Sequence, residues 1–433
     1  MSLVHGRHTT KSPERASGPS RGDTMHDNLR IDGARLLSRL EKLGEIGALP
    51  GGGVCRLALT DEDKAGRDLV VSWMRELGLT VTIDAIGNIT GTRAGTEDLP
   101  PVMAGSHIDT VATGGIYDGN LGVLAGLEVI ETLNDAGVTT RRPIAVTAFT
   151  NEEGARFQPD MLGSVVYTGG MPIGQAHDTV SIDGQKLGEE LARIGYLGEA
   201  PAAVPKVHAY VELHIEQGPV LEAEGFRIGA VEGVQGISWT EFSLIGQSSH
   251  AGTTPMRMRH DAGLVAAEIS AFARKTAKEI GGDQVATVGM FTVSPNLVNV
   301  VPDKAVMTVD LRNTDDEILK EAERRVFAFA EEAAKAEGVT LEKRTLARFA
   351  PVAFTPALVD RVEAIAKEFE LPVRRLPAGA GHDAGILAEI CPACMIFVPS
   401  VNGLSHNVKE YTAPADLSAG ADVLLRLMLE LSA

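Results

Sequence analysis

Several apolar segments of this chain are too continuous for a half-exposed strand and too short to cross a membrane. LPPVMAGS (99–106), RRPIAVTAFT (141–150) and CMIFVPS (394–400) are such runs, and helical patterns such as NLGVLAGLEVIETLNDA (120–136) lie between them. Near-continuous apolar strands occur where helices cover both faces of a parallel or mixed sheet. The sequence therefore predicts an α/β protein.

The pattern changes near residue 234, where alternating strand-like segments (ISWTEFSLIG, QVATVGMFTV, AVMTVDLRN) are interleaved with two helical stretches. The α/β pattern resumes near residue 348, and 433 residues are too many for one ordinary core. We predict an inserted α+β domain within a domain formed by both ends of the chain. The predicted division is a disordered leader at 1–24, a first domain from 25–233 and 348–433, and an insertion at 234–347.

Charge and cysteine content exclude several classes of function. A net charge of −18 without a Lys/Arg cluster makes nucleic acid an unfavourable partner. The chain has no run of 18 apolar residues and no secretion signal, so no membrane partner is expected. Three cysteines are too few for a disulfide framework, and the Cys391–Cys394 pair lies in apolar sequence typical of a buried strand. We expect a cytoplasmic protein.

Histidines and carboxylates follow the apolar runs at the points where the strands should end. In an open α/β sheet these ends meet at one crevice. Side chains of this kind without thiolates suit Zn²⁺, Mn²⁺ or Co²⁺, and their number exceeds what one catalytic ion needs, so two ions sharing one carboxylate are predicted. A lone histidine at a strand end is usually only hydrogen-bonded, but the coincidence of several argues against that interpretation. The candidates are His107, Asp109, Asp118, Glu152, Glu153, His214 and His406.

The motifs that carry these residues resemble the hydantoinase/carbamoylase branch of the co-catalytic di-zinc amidohydrolases, relatives of aminoacylases and carboxypeptidases. They run in order from about residue 100 to 407. They are GSHIDTVATGGIYDGNLGVLAGLEVI, FTNEEGARF, ELHIEQGPVLE, GQSSHAGTTPMRMRHDA, PNLVNVVPD, DLRNTD, GAGHDA and LSHN. The resemblance implies a zinc-exopeptidase-like catalytic domain with a mixed sheet, and an inserted lid domain through which two subunits form a homodimer.

The resemblance also implies a role for each matching position. One metal ion would be held by His107, Asp118 and His214, and the other by Asp118, Glu153 and His406. Glu152 would be the general base, Asp109 would orient His107, and His250 would stabilise the oxyanion in the partner subunit's site. The implied substrate contacts are Gln217, His250, Asn299, Arg312, Gly381 and His382.

The implied reaction is hydrolysis of the ureido C–N bond of an N-carbamoyl-L-amino acid, giving amino acid, ammonia and carbon dioxide. Allantoate amidohydrolase and β-ureidopropionase activities stay open, because all three substrates pair a ureido group with a carboxylate that Arg312 could bind. An aminopeptidase or deacylase of the wider superfamily is a further alternative. An alternative of another class is a binding protein without turnover. For the metal-free protein, we predict that Glu152 or Glu153 titrates unusually high.

Overall fold

The computed structural model describes residues 28–202 and 206–433, so the leader predicted at 1–24 lies outside the described residues. The strands are β1 Thr80–Ile83, β2 Ile89–Arg93, β3 Val102–His107, β4 Ile144–Phe149, β5 Ala209–Ile215, β6 Ile228–Val234, β7 Gly236–Ile245, β8 Ser249–His250, β9 Val285–Thr287, β10 Phe291–Ser294, β11 Val300–Val301, β12 Lys304–Asn313, β13 Thr340–Phe349, β14 Val352–Ala353, β15 Val373–Ala378 and β16 Ala393–Val398. The α-helices are α1 Gly33–Gly44, α2 Asp61–Glu76, α3 Asn120–Asp135, α4 Leu162–Tyr167, α5 Ile173–His177, α6 Leu187–Ile194, α7 Val220–Glu224, α8 Ala262–Ile280, α9 Asp316–Glu337, α10 Pro356–Glu368, α11 Asp383–Leu387 and α12 Pro414–Ser432.

The first sheet has nine strands in the order β1-β2-β4-β3-β5-β16-β6-β14, with β15 also paired to β6. The central neighbours β4, β3, β5 and β16 are parallel, whereas β1, β2 and β6 join antiparallel partners. Every residue of β3, β4, β5 and β16 is buried, as expected for strands covered on both faces. The predicted mixed sheet of an α/β protein is confirmed.

Two details of the first unit go beyond the sequence prediction. TVTIDAIGNITGT forms the antiparallel pair β1 and β2, because the chain reverses at Gly87, where φ is +84°. Cys391 and Cys394 are buried free thiols in the first hydrophobic core, as predicted. Helix α1 was not predicted. Asp32 caps it, and its apolar stripe of Leu36, Leu40 and Leu43 packs in the core.

The second sheet is antiparallel, in the order β10-β12-β7-β13, with β9 also paired to β12. Helices α8 and α9 begin at the capping residues Asp261 and Asp315 and cover one face. Burial alternates along β12, so Met307, Val309 and Leu311 point toward these helices. Asp310 and Arg312 therefore lie on the opposite face. QVATVGMFTV, taken as one segment, provides both β9 and β10.

The chain passes between the two units at two adjacent points. One residue separates β6 from β7, and two residues separate β13 from β14. Val352 of β14 pairs with Val234 of β6, so the two connections lie side by side. Each unit has its own hydrophobic core. The division at 234 and 347 stays a prediction; the strands of the second sheet run from Gly236 to Phe349.

None of the helices among the described residues is both long enough and apolar enough for a membrane span.

Candidate metal centre

The Asp118 carboxylate is the centre of a cluster at the carboxyl end of the first sheet. Its Oδ1 lies 3.6 Å from Nε2 of His107 and 3.2 Å from Nε2 of His214. Its Oδ2 lies 3.4 Å from Nε2 of His406, which lies 3.4 Å from Oε2 of Glu153. The structure thus brings the five predicted ligands together in two sets that share Asp118.

A glycine allows His107 to approach the turn that carries Asp118. Gly119 has a φ of +66°, and a Cβ at this position would lie 2.3 Å from Cε1 of His107. The backbone N–H of Gly119 also donates to Nε2 of His214 at 3.2 Å. Any larger residue would displace the His107 ring and strain the backbone.

The chain bends sharply after β4, and this bend directs two consecutive carboxylates to one site. Asn151 is buried with a φ of +55°, and its Nδ2 donates to the carbonyl of Phe157 at 3.0 Å. Gly154 follows with a φ of +62°. Between them, Glu152 places Oε2 3.4 Å from Nε2 of His107, while Glu153 reaches His406. Asparagine takes the conformation of Asn151 more readily than most residues do.

The two ring nitrogens of His107 have different partners. Nδ1 lies 2.9 Å from the backbone carbonyl oxygen of Asp109, so the Nδ1–H donates there. The carboxylate of Asp109, predicted to orient the ring, instead accepts the backbone N–H groups of Glu152 at 3.3 Å and Glu153 at 3.4 Å. This corrects the sequence interpretation: the main chain of Asp109 holds the imidazole, because the carboxylate points toward the bend after β4.

The donor set fits divalent cations. Nδ1 of His214 pairs with the carbonyl of Ile215 at 2.8 Å, so His214, like His107, is held with Nε2 directed into the cluster. Imidazole and carboxylate donors without thiolate match Zn²⁺, Mn²⁺ or Co²⁺. Three carboxylates, those of Asp118, Glu152 and Glu153, are gathered in one buried place, and cations would offset their mutual repulsion.

Burial raises the pKa of Glu152 well above its usual range, and the neighbouring carboxylates raise it further. Burial and the Asp118 carboxylate do the same to the pKa of Glu153. Both directions agree with the prediction that at least one of the pair titrates high in the metal-free protein. Burial alone would raise the pKa of Asp118 as well, but the neighbouring His107 and His214 imidazoles hold it well below the usual range.

Further polar groups hold Asp118 in place. Nε2 of Gln217, a predicted substrate contact, donates to Oδ2 of Asp118 at 2.8 Å. The Ser405 hydroxyl lies 2.9 Å from the same oxygen and 3.1 Å from Oε2 of Glu410. Oε1 of Glu410 accepts the backbone N–H of Asp118 at 3.1 Å. Ser405 and Glu410 were not among the predicted site residues. Their nearness to His406 in sequence is the only sequence feature that points to them.

A buried arginine, Arg56, was also absent from the predicted site residues. Arg56 is 0 % exposed. Its Nε donates to the carbonyl of Ile108 at 2.8 Å and its Nη2 to Oδ1 of Asn120 at 2.8 Å. It thereby ties the segment after His107 to the start of α3. Burial lowers the pKa of Arg56 to about 10, so it stays cationic at neutral pH.

Of the other predicted substrate contacts, His250 and Asn299 lie outside the cluster, whereas His382 packs against it. His250 and Asn299 lie on one two-stranded sheet, where β8 pairs with β11. Among the hydrogen bonds and ion pairs of residues 28–202 and 206–433, none joins either residue to the cluster. The His382 ring is buried and its centroid lies 4.5 Å from that of His214. A Cβ at Gly381 would lie 2.8 Å from Cε of Met161.

A mixed sheet that gathers histidines and carboxylates in three overlapping groups, two of which share Asp118, is typical of a metal-dependent hydrolase. The family model described as Peptidase family M20/M25/M40 matches residues 103–430, and the chain belongs to this family, in its hydantoinase/carbamoylase amidase branch.

Two amidohydrolases and the crystal structure of an amidase match nearly the whole chain. An N-carbamoyl-L-amino-acid amidohydrolase from Rhizobium meliloti is 44% identical over 93% of this chain and 97% of its own length. One from Geobacillus stearothermophilus is 42% identical over 93% of this chain and 99% of its own. The crystal structure of a hydantoinase/carbamoylase family amidase from Burkholderia multivorans superposes with a TM-score of 0.91 at 46% identity, covering 93% and 98% of the two chains.

Proposed function

We propose that this protein hydrolyses the ureido C–N bond of N-carbamoyl-L-amino acids. The observation that carries the proposal is the cluster around Asp118, within a chain matched almost end to end by amidohydrolases named for this substrate. One water is consumed, and the products are the amino acid, ammonia and carbon dioxide.

His107, Asp118 and His214 would hold one divalent cation, and Asp118, Glu153 and His406 the other. The donors suit Zn²⁺, with Mn²⁺ or Co²⁺ as alternatives. When bound, such a pair supplies Lewis-acid polarisation of the ureido carbonyl and an activated water at neutral pH.

Glu152 is the group proposed to move protons. It belongs to neither ligand set, yet its Oε2 lies 3.4 Å from Nε2 of His107, at the edge of the cluster. A buried carboxylate beside the two ligand sets is suited to accept and then return a proton. Glu152 would take a proton from the attacking water and deliver it to the departing nitrogen.

Asn299 and Arg312 are proposed to bind the substrate carboxylate. Nη1 of Arg312 donates to the carbonyl of Gly379 at 2.6 Å, and Gly379 lies on the loop that leads to Gly381 and His382. Arg312 therefore connects the second sheet to the loop with the other predicted contacts. A guanidinium is suited to a carboxylate because it can donate two parallel hydrogen bonds.

His250 is proposed to act in the site of a partner subunit. Its Nδ1 accepts the backbone N–H groups of Gly252 at 3.0 Å and Thr253 at 3.2 Å, so the ring proton of the neutral form lies on the exposed Nε2. That N–H is a donor for a developing oxyanion. A homodimer through the second sheet is supported by its edge, where Val285 and Phe291 on β9 and β10 are 47% and 43% exposed.

Mixing two inactive variants tests the exchange of His250 between subunits. In a heterodimer of Glu152→Gln and His250→Ala subunits, one site regains both residues if His250 acts in trans. Random pairing should restore about a quarter of the wild-type activity in a two-fold dimer. Each variant taken alone through the same subunit exchange is the control. A mixture as inactive as its components would contradict the exchange.

A substrate panel tests the reaction itself. After loading with Zn²⁺, Mn²⁺ or Co²⁺, ammonia release should be fastest from N-carbamoyl-L-methionine and slower from N-carbamoyl-β-alanine and allantoate. Fastest release from allantoate or N-carbamoyl-β-alanine would favour the corresponding alternative activity. Protein with both metal ions and no turnover of any of the three would favour a binding protein. A cytoplasmic location is also proposed, since Cys55, Cys391 and Cys394 are all free thiols.

A further inference from the structure

The guanidinium of Arg312 is already partly occupied. Its Nε lies 3.1 Å from Oδ1 of Asp310, its Nη2 lies 2.9 Å from Oδ2, and its Nη1 donates to the carbonyl of Gly379. These bonds use three of the five N–H donors of a guanidinium. Within the part of the chain that the structure describes, one N–H on Nη1 and one on Nη2 thus have no assigned acceptor. Two such donors are the number that a carboxylate takes in a bidentate pair.

The surrounding sheet face fixes the plane of this guanidinium. Asp310 of β12 lies directly opposite Trp239 of β7, and Arg312 is two residues farther along on the same face. The Arg312 guanidinium carbon lies 5.7 Å from the centroid of the Trp239 ring. Asp310 therefore holds one edge of the guanidinium, Trp239 lies against it, and Gly379 contacts it from the first unit.

We infer that Asp310 is a positioning residue, which binds the Nε edge of Arg312 so that the free Nη donors are presented to the substrate carboxylate. This inference rests on the proposed function of Arg312. Asp310 has two opposing effects: its negative charge repels the carboxylate, whereas its hydrogen bonds order a side chain that otherwise samples many rotamers. The ordering effect is expected to prevail, because the ion pair with Arg312 at 2.9 Å offsets the charge of Asp310.

The kinetic test replaces Asp310 by Asn. Since a contact made equally in ground and transition states affects KM, the KM of the best ureido acid should rise about tenfold, with kcat within about twofold. Asp310→Glu should recover much of the loss, because a carboxylate is restored. The ureido carboxamide, which lacks the carboxylate, should show no difference between wild type and variant. Glu241→Gln is the matched control, because Glu241 is a carboxylate of the same sheet face paired with Arg344 at 3.1 Å.

A second variant and a spectroscopic readout separate positioning from general destabilisation. In an Arg312→Met background, Asp310→Asn should no longer raise KM, and a fall in KM there would report only the loss of the Asp310 charge that repels the carboxylate. The chain has two tryptophans, and Trp73 is buried, so Trp73→Phe leaves Trp239 as the reporter. In that background, Asp310→Asn should raise the acrylamide quenching constant of Trp239, because the guanidinium no longer covers the ring.

The outcomes distinguish this inference from the proposed function. A wild-type KM in Asp310→Asn, a lowered KM, or the same rise with the carboxamide would overturn the positioning role while leaving the hydrolase intact. If the wild type hydrolyses no ureido acid, the proposed function fails. The quenching measurement then decides the positioning role alone, and an unchanged constant in Asp310→Asn would refute it.

Discussion

Replacing Glu152 by Gln should leave both metal ions bound while lowering kcat by about 10³-fold, the usual range for loss of a general base. The reason is that the two glutamates at the bend after β4 have different roles. Glu152 stands next to His107 but belongs to neither ligand set, whereas Glu153 belongs to the set with His406. The amide of Gln keeps the shape of the side chain and cannot accept the proton.

The measurement combines metal analysis with steady-state kinetics on N-carbamoyl-L-methionine. Glu153→Gln is the natural comparison, because the neighbouring substitution should reduce metal content to one ion. Wild-type turnover in Glu152→Gln would show that another group takes the proton. Loss of metal from Glu152→Gln would show that this carboxylate is a ligand.

Replacing Asp118 by Ala should remove both metal ions and abolish activity, because this carboxylate is the one member common to both ligand sets. Replacing a histidine that belongs to only one ligand set should have a smaller effect on metal content. His214→Ala should weaken binding of the ion shared with His107, and His406→Ala that of the ion shared with Glu153. Activity should be lost in all three variants.

Metal content per chain after dialysis checks this order, with circular dichroism to confirm that each variant is folded. An Asp118→Ala protein that retains one tightly bound ion would disprove the shared-carboxylate arrangement. Equal loss of both ions from His406→Ala would show that the two positions bind cooperatively rather than separately.

The sequence predicted the positions of the cluster residues well because each follows an element with a strong local signal. His107, Glu152 and His214 come at or after strands that are buried throughout, and such strand ends converge in an open α/β sheet. The motifs that contain them also resemble a known branch, and the comparisons confirm that branch and its fold. At these residues, the strand pattern and the motifs of the family lead to the same prediction.

The remainder depends on contacts between residues far apart in sequence. Glu410 reaches Asp118 across 292 positions, and Arg56 reaches Asn120 across 64. No spacing rule predicts such pairs. Asp109 shows a second limit. Its position two residues after His107 is equally compatible with a carboxylate or a main-chain acceptor for the His107 ring, and the choice depends on how the chain turns after β4. Likewise, the sequence gives no sign that Asp310 occupies one edge of Arg312.

The paired connections between the two units have an evolutionary consequence. The chain leaves the first sheet after Val234 and returns at Val352, next to where it left, and the two cores have no residue in common. All members of the cluster lie outside this excursion, whereas His250, Asn299 and Arg312 lie within it. The segment between Val234 and Val352 can therefore diversify, or be exchanged between relatives as one unit, with little disturbance to the first core. A lineage built on this plan can alter the excursion while inheriting the cluster around Asp118 unaltered.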